Sequence, residues 1–191
     1  MITHILKAVC ILCTAACAAA AFTSCGDVSS SQGGSASSET SDAAMSGSTE
    51  FDMSAEEYLK AALEKAPDSL LDETTAKGDT SSYGFDTFCA KLYGGLSADE
   101  LSDGAISYAS SGGNADEVSL LKAADDEKQS ELTAKLKDRL DMRRHDFEGY
   151  KPEELPKIDK ARVFECNGFC VLVIADNAED IEKAFKSITE G

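Results

Sequence analysis

The residues with the clearest chemistry lie near the start of the chain, in the run Phe22-Thr23-Ser24-Cys25. A secretory signal has a positive start, an apolar run of roughly 7–15 residues and small residues before its cleavage site. Lys7, the apolar run 8–22 and the two small residues before the cysteine fit that pattern. Cleavage at this point would leave a cysteine thiol that can carry lipid. We therefore predict a lipoprotein signal peptide over residues 1–24 and lipidation of Cys25.

Other processing sites stay open as alternatives. Cys17 also follows small residues, and Cys13 lies close by, but cutting at either would leave apolar residues on the mature chain. A plain secreted protein cleaved near Ala21 is a further alternative. The apolar run is shorter than the roughly 20 residues that a transmembrane helix needs. We therefore expect the lipid on Cys25 to hold the protein at the outer face of the cell membrane.

The other residues with metal or catalytic chemistry are isolated in the sequence. A metal site needs several converging ligands, whereas His145 stands among charged side chains that favour a solvated surface. The acidic run 125–127 lacks the alternating ligands and central glycine of a calcium-binding loop. The chain also lacks the G-x-S-x-G and G-x-x-x-x-G-K-[ST] motifs. We predict no catalytic residue, no metal site and no cofactor.

Three cysteines follow Cys25 in the sequence: Cys89, Cys166 and Cys170. Cys166 and Cys170 flank a turn with C-x-x-x-C spacing, which differs from the C-x-x-C spacing of redox and metal pairs. A two-residue turn between them places their side chains on opposite faces of a hairpin, too far apart for a disulfide. We predict three free thiols that pack as small buried hydrophobic residues.

The net charge of the chain limits the kinds of molecule that it is expected to bind. The 191 residues include 18 Lys and Arg against 35 Asp and Glu, a net charge of −17. Removing residues 1–24 takes away one positive charge, Lys7, and gives −18. Nucleic-acid-binding proteins are usually basic, so we expect no nucleic-acid partner. The same charge disfavours a flat approach to anionic lipid.

The chain divides into a tether and a folded domain. Residues 25–50 are rich in Ser, Gly and Ala. A segment with so little to bury stays disordered, because burial does not offset its ordering entropy. As a random coil of about 25 residues it would span roughly 25–30 Å. We predict a disordered tether over residues 25–50 and one domain over residues 51–191.

Capping signals and apolar repeats predict four helices in that domain. Ser54 and Glu57 form a capping box for the first helix, which Pro67 ends. A short second helix ends at Gly94-Gly95, a long third helix runs over about 126–148 with Gly149 as its C-cap, and the last runs over about 178–188. The apolar positions are Leu59, Ala62, Leu63 and Ala66; Phe85, Phe88 and Leu92; Leu132, Leu136, Leu140 and Phe147; and Ile181, Ala184, Phe185 and Ile188.

Strands are predicted over residues 105–110 and 117–123 and in a hairpin over 161–175. Asn167-Gly168 suits a type I′ turn, which sets Cys166 opposite Phe169. Both faces of this hairpin are apolar, so we expect it to be central or covered on both sides. The remaining segments are predicted as an irregular loop at 68–84, a capped turn from Ser97 that Gly104 closes, and an extended connection through Pro152 and Pro156.

The order strand-strand-helix occurs twice after the first two helices. It predicts an α+β domain, with an antiparallel four-stranded sheet built from two hairpin–helix units and helices packed on it.

Four short pieces in this order resemble a family of small Firmicute lipoproteins, domain of unknown function 4358. They are Leu92-Tyr93-Gly94, the stretch from Ala115-Asp116-Glu117-Val118 to Lys122-Ala123, Phe147-Glu148-Gly149-Tyr150-Lys151-Pro152, and the hairpin at 161–174. The resemblance covers residues 55–188 and implies a lipoprotein address and an α+β domain without a known activity. Genes of such proteins often lie near membrane O-acyltransferase genes, which implies an envelope protein or a polymer-modifying complex of the envelope as partner. The family-motif positions, of unknown role, are Tyr93, Gly94, Glu117, Lys122, Phe147, Tyr150 and Pro152.

Three functional hypotheses remain from the sequence. The first is a membrane-anchored, non-catalytic binding or accessory module of a cell-envelope system, which would show a groove or an exposed apolar patch. The second is a small extracytoplasmic enzyme that uses acidic residues, which would show carboxylates converging in a pocket with perturbed pKa values. The third is a purely structural lipoprotein, which would show neither. We favour the first.

Overall fold

The computed structural model describes residues 51–189, which form an α+β domain around a five-stranded antiparallel sheet. The strands lie in the order β1-β2-β3-β5-β4, so β1 and β4 are the edges. The predicted signal peptide, Cys25 and tether lie outside the described residues. The strands are β1 Glu73–Ala76, β2 Leu101–Tyr108, β3 Glu117–Ala123, β4 Arg162–Cys166 and β5 Phe169–Ile174.

Helices cover both faces of this sheet. One layer is formed by α1 and α5, which pack on the face that carries Val118, Val171 and Val173. The other helices pack on the face that carries Leu121 and Leu172. Within residues 51–189, no helix is both long and apolar enough to cross a bilayer. The helices are α1 Ala55–Lys65, α2 Phe85–Leu92, α3 Gln129–Tyr150, α4 Leu155–Asp159 and α5 Ala178–Thr189.

Local signals in the sequence account for the ends of α1 and α2. The side chains of Ser54 and Glu57 each accept a hydrogen bond from the other residue's backbone N–H, so the predicted capping box is confirmed. Gly94 and Gly95 both have positive φ after α2, a conformation that glycine adopts without steric cost. The predicted stop of this helix is therefore confirmed.

The hairpin has the predicted register. Cys166 pairs with Phe169 and Glu165 pairs with Cys170 across a turn in which Asn167 and Gly168 both have positive φ. Both faces are covered as expected, but the hairpin is not central, because β4 is an edge strand. Only β5 is buried along its whole length.

The fifth strand, β1, lies inside the segment that the sequence predicts as an irregular loop. Its four residues, Glu-Thr-Thr-Ala, lack an apolar alternation, so they carry no sequence signal of a strand. Main-chain pairing with β2 holds it instead, with Thr74 opposite Ser107. The prediction of a four-stranded sheet is therefore wrong by one edge strand.

Gly104 does not close a turn, because β2 already begins at Leu101 and runs through it. A Cβ at this position would lie 2.4 Å from the ring of Phe85, so glycine makes room for α2 to pack on the sheet. The capped turn itself is confirmed, with Ser97 and Glu100 forming the reciprocal pair.

Two predictions around the end of the long helix are wrong. Gly149 lies inside α3, which continues to Tyr150, and Lys151 is the C-cap. Pro152 and Pro156 do not extend the chain but stand in the first turns of a 3₁₀ turn, Pro152–Glu154, and of α4. Proline is favoured there, because the first backbone N–H groups of a helix have no partner within it.

Candidate functional site

Two of the family-motif positions, Tyr93 and Glu117, meet beneath α2. The Tyr93 hydroxyl donates a hydrogen bond to Glu117 Oε1 at 2.8 Å and lies 2.5 Å from the Ser119 hydroxyl. Glu117 and Ser119 are two residues apart on β3, so both face the same side of the sheet. All three side chains are buried.

The charge of Glu117 is balanced by two arginines of α3. Arg139 reaches both carboxylate oxygens, with Nη2 2.5 Å from Oε2 and Nε 3.1 Å from Oε1. Arg143 Nε lies 3.8 Å from Oε2, and its Nη2 donates to the Asn114 carbonyl oxygen. Arginine suits this position, because its planar fork matches a carboxylate in a bidentate pair.

The electrostatics of this cluster keep the Glu117 carboxylate ionised. Burial alone raises the pKa of Glu117, but the charges of Arg139 and Arg143 and the Tyr93 hydrogen bond outweigh it, so the pKa is lowered. Burial and the neighbouring carboxylate raise the pKa of Tyr93 well above its usual value. Glu117 thus stays a carboxylate and Tyr93 a neutral donor. We assign the cluster a positioning role: it joins α2 and α3 to the centre of the sheet.

A second buried ion pair lies beside the first, at the end of the sheet. Lys157 of α4 donates to Asp116 Oδ2 at 2.6 Å and to Glu154 Oε2 at 3.0 Å. Glu154 Oε2 also accepts the backbone N–H of Ala115 at 3.0 Å. These contacts fix α4 against the residues just before β3.

Asp116 is the one carboxylate in this second cluster with a raised pKa. Burial raises it most and Lys157 lowers it, while the nearby Asp68 raises it further. Its Oδ1 atom is buried and has no hydrogen-bond partner within residues 51–189. The side chain is completely enclosed.

The other family-motif positions do not join either cluster. Phe147 is buried, and the Arg143 guanidinium carbon lies 4.9 Å from the centre of its ring. Phe147 therefore packs against an arginine of the first cluster. Lys122 lies on the opposite face of the sheet, over the Phe169 ring at 5.6 Å. Tyr150 is 69% exposed. Gly94 ends α2, and Pro152 starts the 3₁₀ turn.

A surface groove of about 550 Å³ lies elsewhere, between α1 and the β1–β2 edge of the sheet. Leu59 and Leu63 of α1 form one wall, and Thr74 of β1 with Ser107 of β2 forms the polar floor. The remaining lining residues are Glu56, Lys60, Glu64, Pro67 and Leu71. Leu59 is buried, but Leu63 and Leu71 are half-buried, so part of the apolar lining stays accessible here. We name this surface the α1–β1 groove.

A second hollow, of about 520 Å³, lies between α2 and α3. Its lining includes His145 and Met142, and Met142 is 40% exposed. No group of three or more His, Cys, Asp or Glu side chains within residues 51–189 is arranged to hold a metal ion. His145 lines this hollow together with Asp138, Asp141 and Asp146 but belongs to no such group.

The three cysteines of the domain are free thiols, as predicted. The Cys166 Sγ atom accepts a hydrogen bond from the Tyr58 hydroxyl on the α1–α5 side of the sheet. Cys170 lies 3.0 Å from the Thr133 hydroxyl on the α3 side. The strand alternation that separates them is therefore confirmed.

A family model described as a domain of unknown function (DUF4358) matches residues 76–176, more than half of the chain. The chain belongs to this family. No curated protein and no solved structure gives a significant match. The DUF4358 match contains both buried clusters. It ends short of α5 and begins after α1, and of the residues that line the α1–β1 groove it includes only Ser107.

Sequence reasoning found Tyr93 and Glu117 but not the groups that surround them. Arg139 and Arg143 belong to a run of charged residues typical of a solvated helix end. Arg139 lies seven residues after Leu132 and three after Leu136, so helical spacing places it on their face. Only the packing of α3 shows that this charged side chain is buried with them. The α1–β1 groove had no sequence signal either, since its floor belongs to the unrecognised strand β1.

Proposed function

We propose that this member of DUF4358 is a lipoprotein held by Cys25 at the outer face of the cell membrane. In this proposal residues 51–189 serve a cell-envelope system as a non-catalytic binding or accessory module. The α1–β1 groove carries the proposal for the module. It combines about 550 Å³ of accessible space with leucine walls and a hydroxyl-lined floor. Sites of this size and mixed lining are typical of recognition surfaces.

The charged clusters support binding rather than catalysis. Glu117 is fully neutralised by arginine, and Asp116 lies in an enclosed site against Lys157. A general acid or base must reach its substrate directly or through one water. Glu117 and Asp116 are 1% and 0% exposed, whereas the groove is lined partly by exposed side chains that a partner can touch.

Anchoring is tested by the Cys25→Ala variant. We expect an uncleaved or mislocalised precursor, whereas the parent is found in the membrane fraction with a lipid-modified N-terminal cysteine. Stable anchoring needs two or more acyl chains, so mass spectrometry of the mature N-terminus should show multiple acylation. A mature N-terminus at Thr23 or earlier, without lipid, would refute the lipoprotein assignment.

Binding is tested by photo-crosslinking in intact cells. A photoreactive amino acid replaces Lys60, which is exposed and lines the groove. The matched control replaces Lys183, an exposed lysine on α5 whose side chain is 65% accessible. We expect a discrete adduct with an envelope protein or polymer from position 60 only. Equal labelling from both positions would contradict a specific groove.

A further inference from the structure

Within residues 51–189 no strand pairs with the outer side of β1, and the α1–β1 groove lies beside this edge. Lys77 N–H donates to the Gly104 carbonyl oxygen at 2.8 Å, and the antiparallel register continues with Thr75 opposite Ile106. Residues of an antiparallel strand direct their backbone groups alternately to one neighbour and the other. The backbone of Thr74 and the N–H of Ala76 therefore point away from β2, toward the free edge.

The side chains of the same residues lie on the α1 side of the sheet. Thr74 lines its floor, and Ala76 packs on the α1 side of the sheet. A strand added to β1 would place every second side chain on that side, next to Leu59 and Leu63 of α1. A strand that pairs with the free edge of β1 would therefore also place its alternate side chains against the leucines of α1.

The charges around the groove indicate which charge a bound segment should carry. Glu56 and Glu64 line it against one positive side chain, Lys60. Glu73 of β1 is exposed, and the whole chain carries a net charge of −17. An extended segment with basic residues between its apolar ones complements this surface.

We propose that β1 accepts an extended, basic segment of a partner protein as a sixth strand, whose alternate apolar side chains fill the α1–β1 groove. The inference rests on the proposed binding function and specifies its partner class. Main-chain pairing gives affinity in this mode of recognition, and the pockets for alternate side chains give specificity.

The test measures binding of a fluorescent peptide, Arg-Val-Thr-Val-Lys-Leu-Lys, to the full chain in phosphatidylcholine nanodiscs, with empty nanodiscs as the blank. We expect saturable binding that becomes about tenfold weaker or more when alternate peptide nitrogens are methylated. Methylation removes the N–H donors of the added strand and keeps its side chains. A scrambled peptide with its apolar residues adjacent should also bind more weakly.

The matched protein variants are Thr74→Pro and Thr74→Ala. Proline removes the outward N–H and is tolerated at the free side of an edge strand, whereas alanine keeps the N–H. Both lose the Thr74 side-chain bond to Ser107, so their difference reports the backbone contact. We expect Thr74→Pro alone to abolish binding, with unchanged circular dichroism.

Three outcomes would overturn the inference. The first is an absence of saturable peptide binding. The second is binding whose affinity is unchanged by both N-methylation and Thr74→Pro. The third is a dimer of this chain that Thr74→Pro dissociates. The last would assign the edge to a second copy. If position 60 still crosslinks specifically in cells under any of these outcomes, the proposed binding function stands and only the added strand is refuted.

Discussion

At the scale of single residues, the arginine–carboxylate pair of Glu117 and Arg139 is the contact most sensitive to the loss of one partner. Both side chains are almost inaccessible, at 2% and 8% of their free surface. Burying two charges carries a large desolvation cost that good geometry and added hydrogen bonds must offset. Here the bidentate contact of Arg139 and the Tyr93 hydroxyl supply those bonds, and the Arg143 guanidinium adds a positive charge 3.8 Å from the carboxylate.

We expect Arg139→Met to lower the free energy of unfolding by about 3–5 kcal/mol, because it leaves a buried carboxylate without its main partner. Adding Glu117→Gln should restore part of that loss, since glutamine is uncharged and still accepts the Tyr93 hydrogen bond. Urea denaturation of both variants measures this. The control is Arg144→Met, whose pair with Asp159 is exposed and worth about 0–1 kcal/mol. Equal losses at positions 139 and 144 would contradict the argument.

The adjacent residues Asp116 and Glu117 should have opposite effects on stability as pH changes. The lowered pKa of Glu117 means that the folded state binds its proton less tightly than the unfolded chain. Its contribution is present above the unfolded value of about 4.3 and is lost as pH falls through the folded value. The raised pKa of Asp116 reverses the sign. Its contribution is present below about 3.9 and is lost as pH rises through the folded value.

Unfolding free energies measured by urea from about pH 7 to about pH 2 separate the two groups. Glu117→Gln should flatten the loss of stability toward acid. Asp116→Asn should remove the loss that accompanies rising pH, so its curve should rise more steeply than that of the parent. Parallel curves for all three proteins would show that neither carboxylate carries the linkage.

At the scale of elements, the hairpin β4–β5 shows how a two-residue turn distributes side chains between the two layers. The turn at Asn167-Gly168 fixes the register, and the period of two then assigns Cys166 to the α1–α5 layer and Cys170 to the α3 layer. Cys89 lies on α2, where burial and then the Asp86 charge raise its pKa to about 12. Burial also raises the pKa of Cys170.

We therefore expect three thiols per chain in residues 26–191 when the protein is unfolded without reductant. In the folded protein Cys166, which is half-buried near the turn, should react first with a thiol reagent, and Cys89 and Cys170 should react only on unfolding. Time-resolved labelling with mass spectrometry of each cysteine tests the order. A count of one thiol after unfolding would reveal a disulfide and refute the separation of the cysteines.

At the scale of the whole molecule, the sheet is enclosed by two apolar layers, one on each face. Phe51, close to the predicted domain boundary, already packs against Tyr58 with ring centroids 4.6 Å apart. Residues 26–50 have few apolar side chains that could extend this core. Residues 51–191 should therefore account for the whole free energy of unfolding.

Chains 51–191 and 26–191 should unfold at the same urea concentration and with the same slope, because the slope follows the surface exposed on unfolding. The matched control is chain 59–191, which removes the capping box and buried Tyr58 and should be clearly less stable. A loss of stability on removing residues 26–50 alone would contradict the assignment of a tether.

The sequence by itself determined the elements whose signals are local. The capping boxes at Ser54 and Ser97, the Asn167-Gly168 turn and the apolar stripe of α5 each depend on residues within a few positions of one another. Such signals act through backbone geometry and side-chain period, so they do not need the rest of the fold. Family membership followed from short pieces in the right order.

Only the tertiary structure decided the features that depend on contacts between distant residues. Strand β1 exists because β2 supplies its hydrogen-bond partners, not because of its own residues. Arg139 faces inward because Glu117, 22 positions earlier, holds it there. The α1–β1 groove is the space that α1 leaves uncovered at the sheet edge. These are long-range pairings, and their energy is set by neighbours that no local pattern of residues identifies.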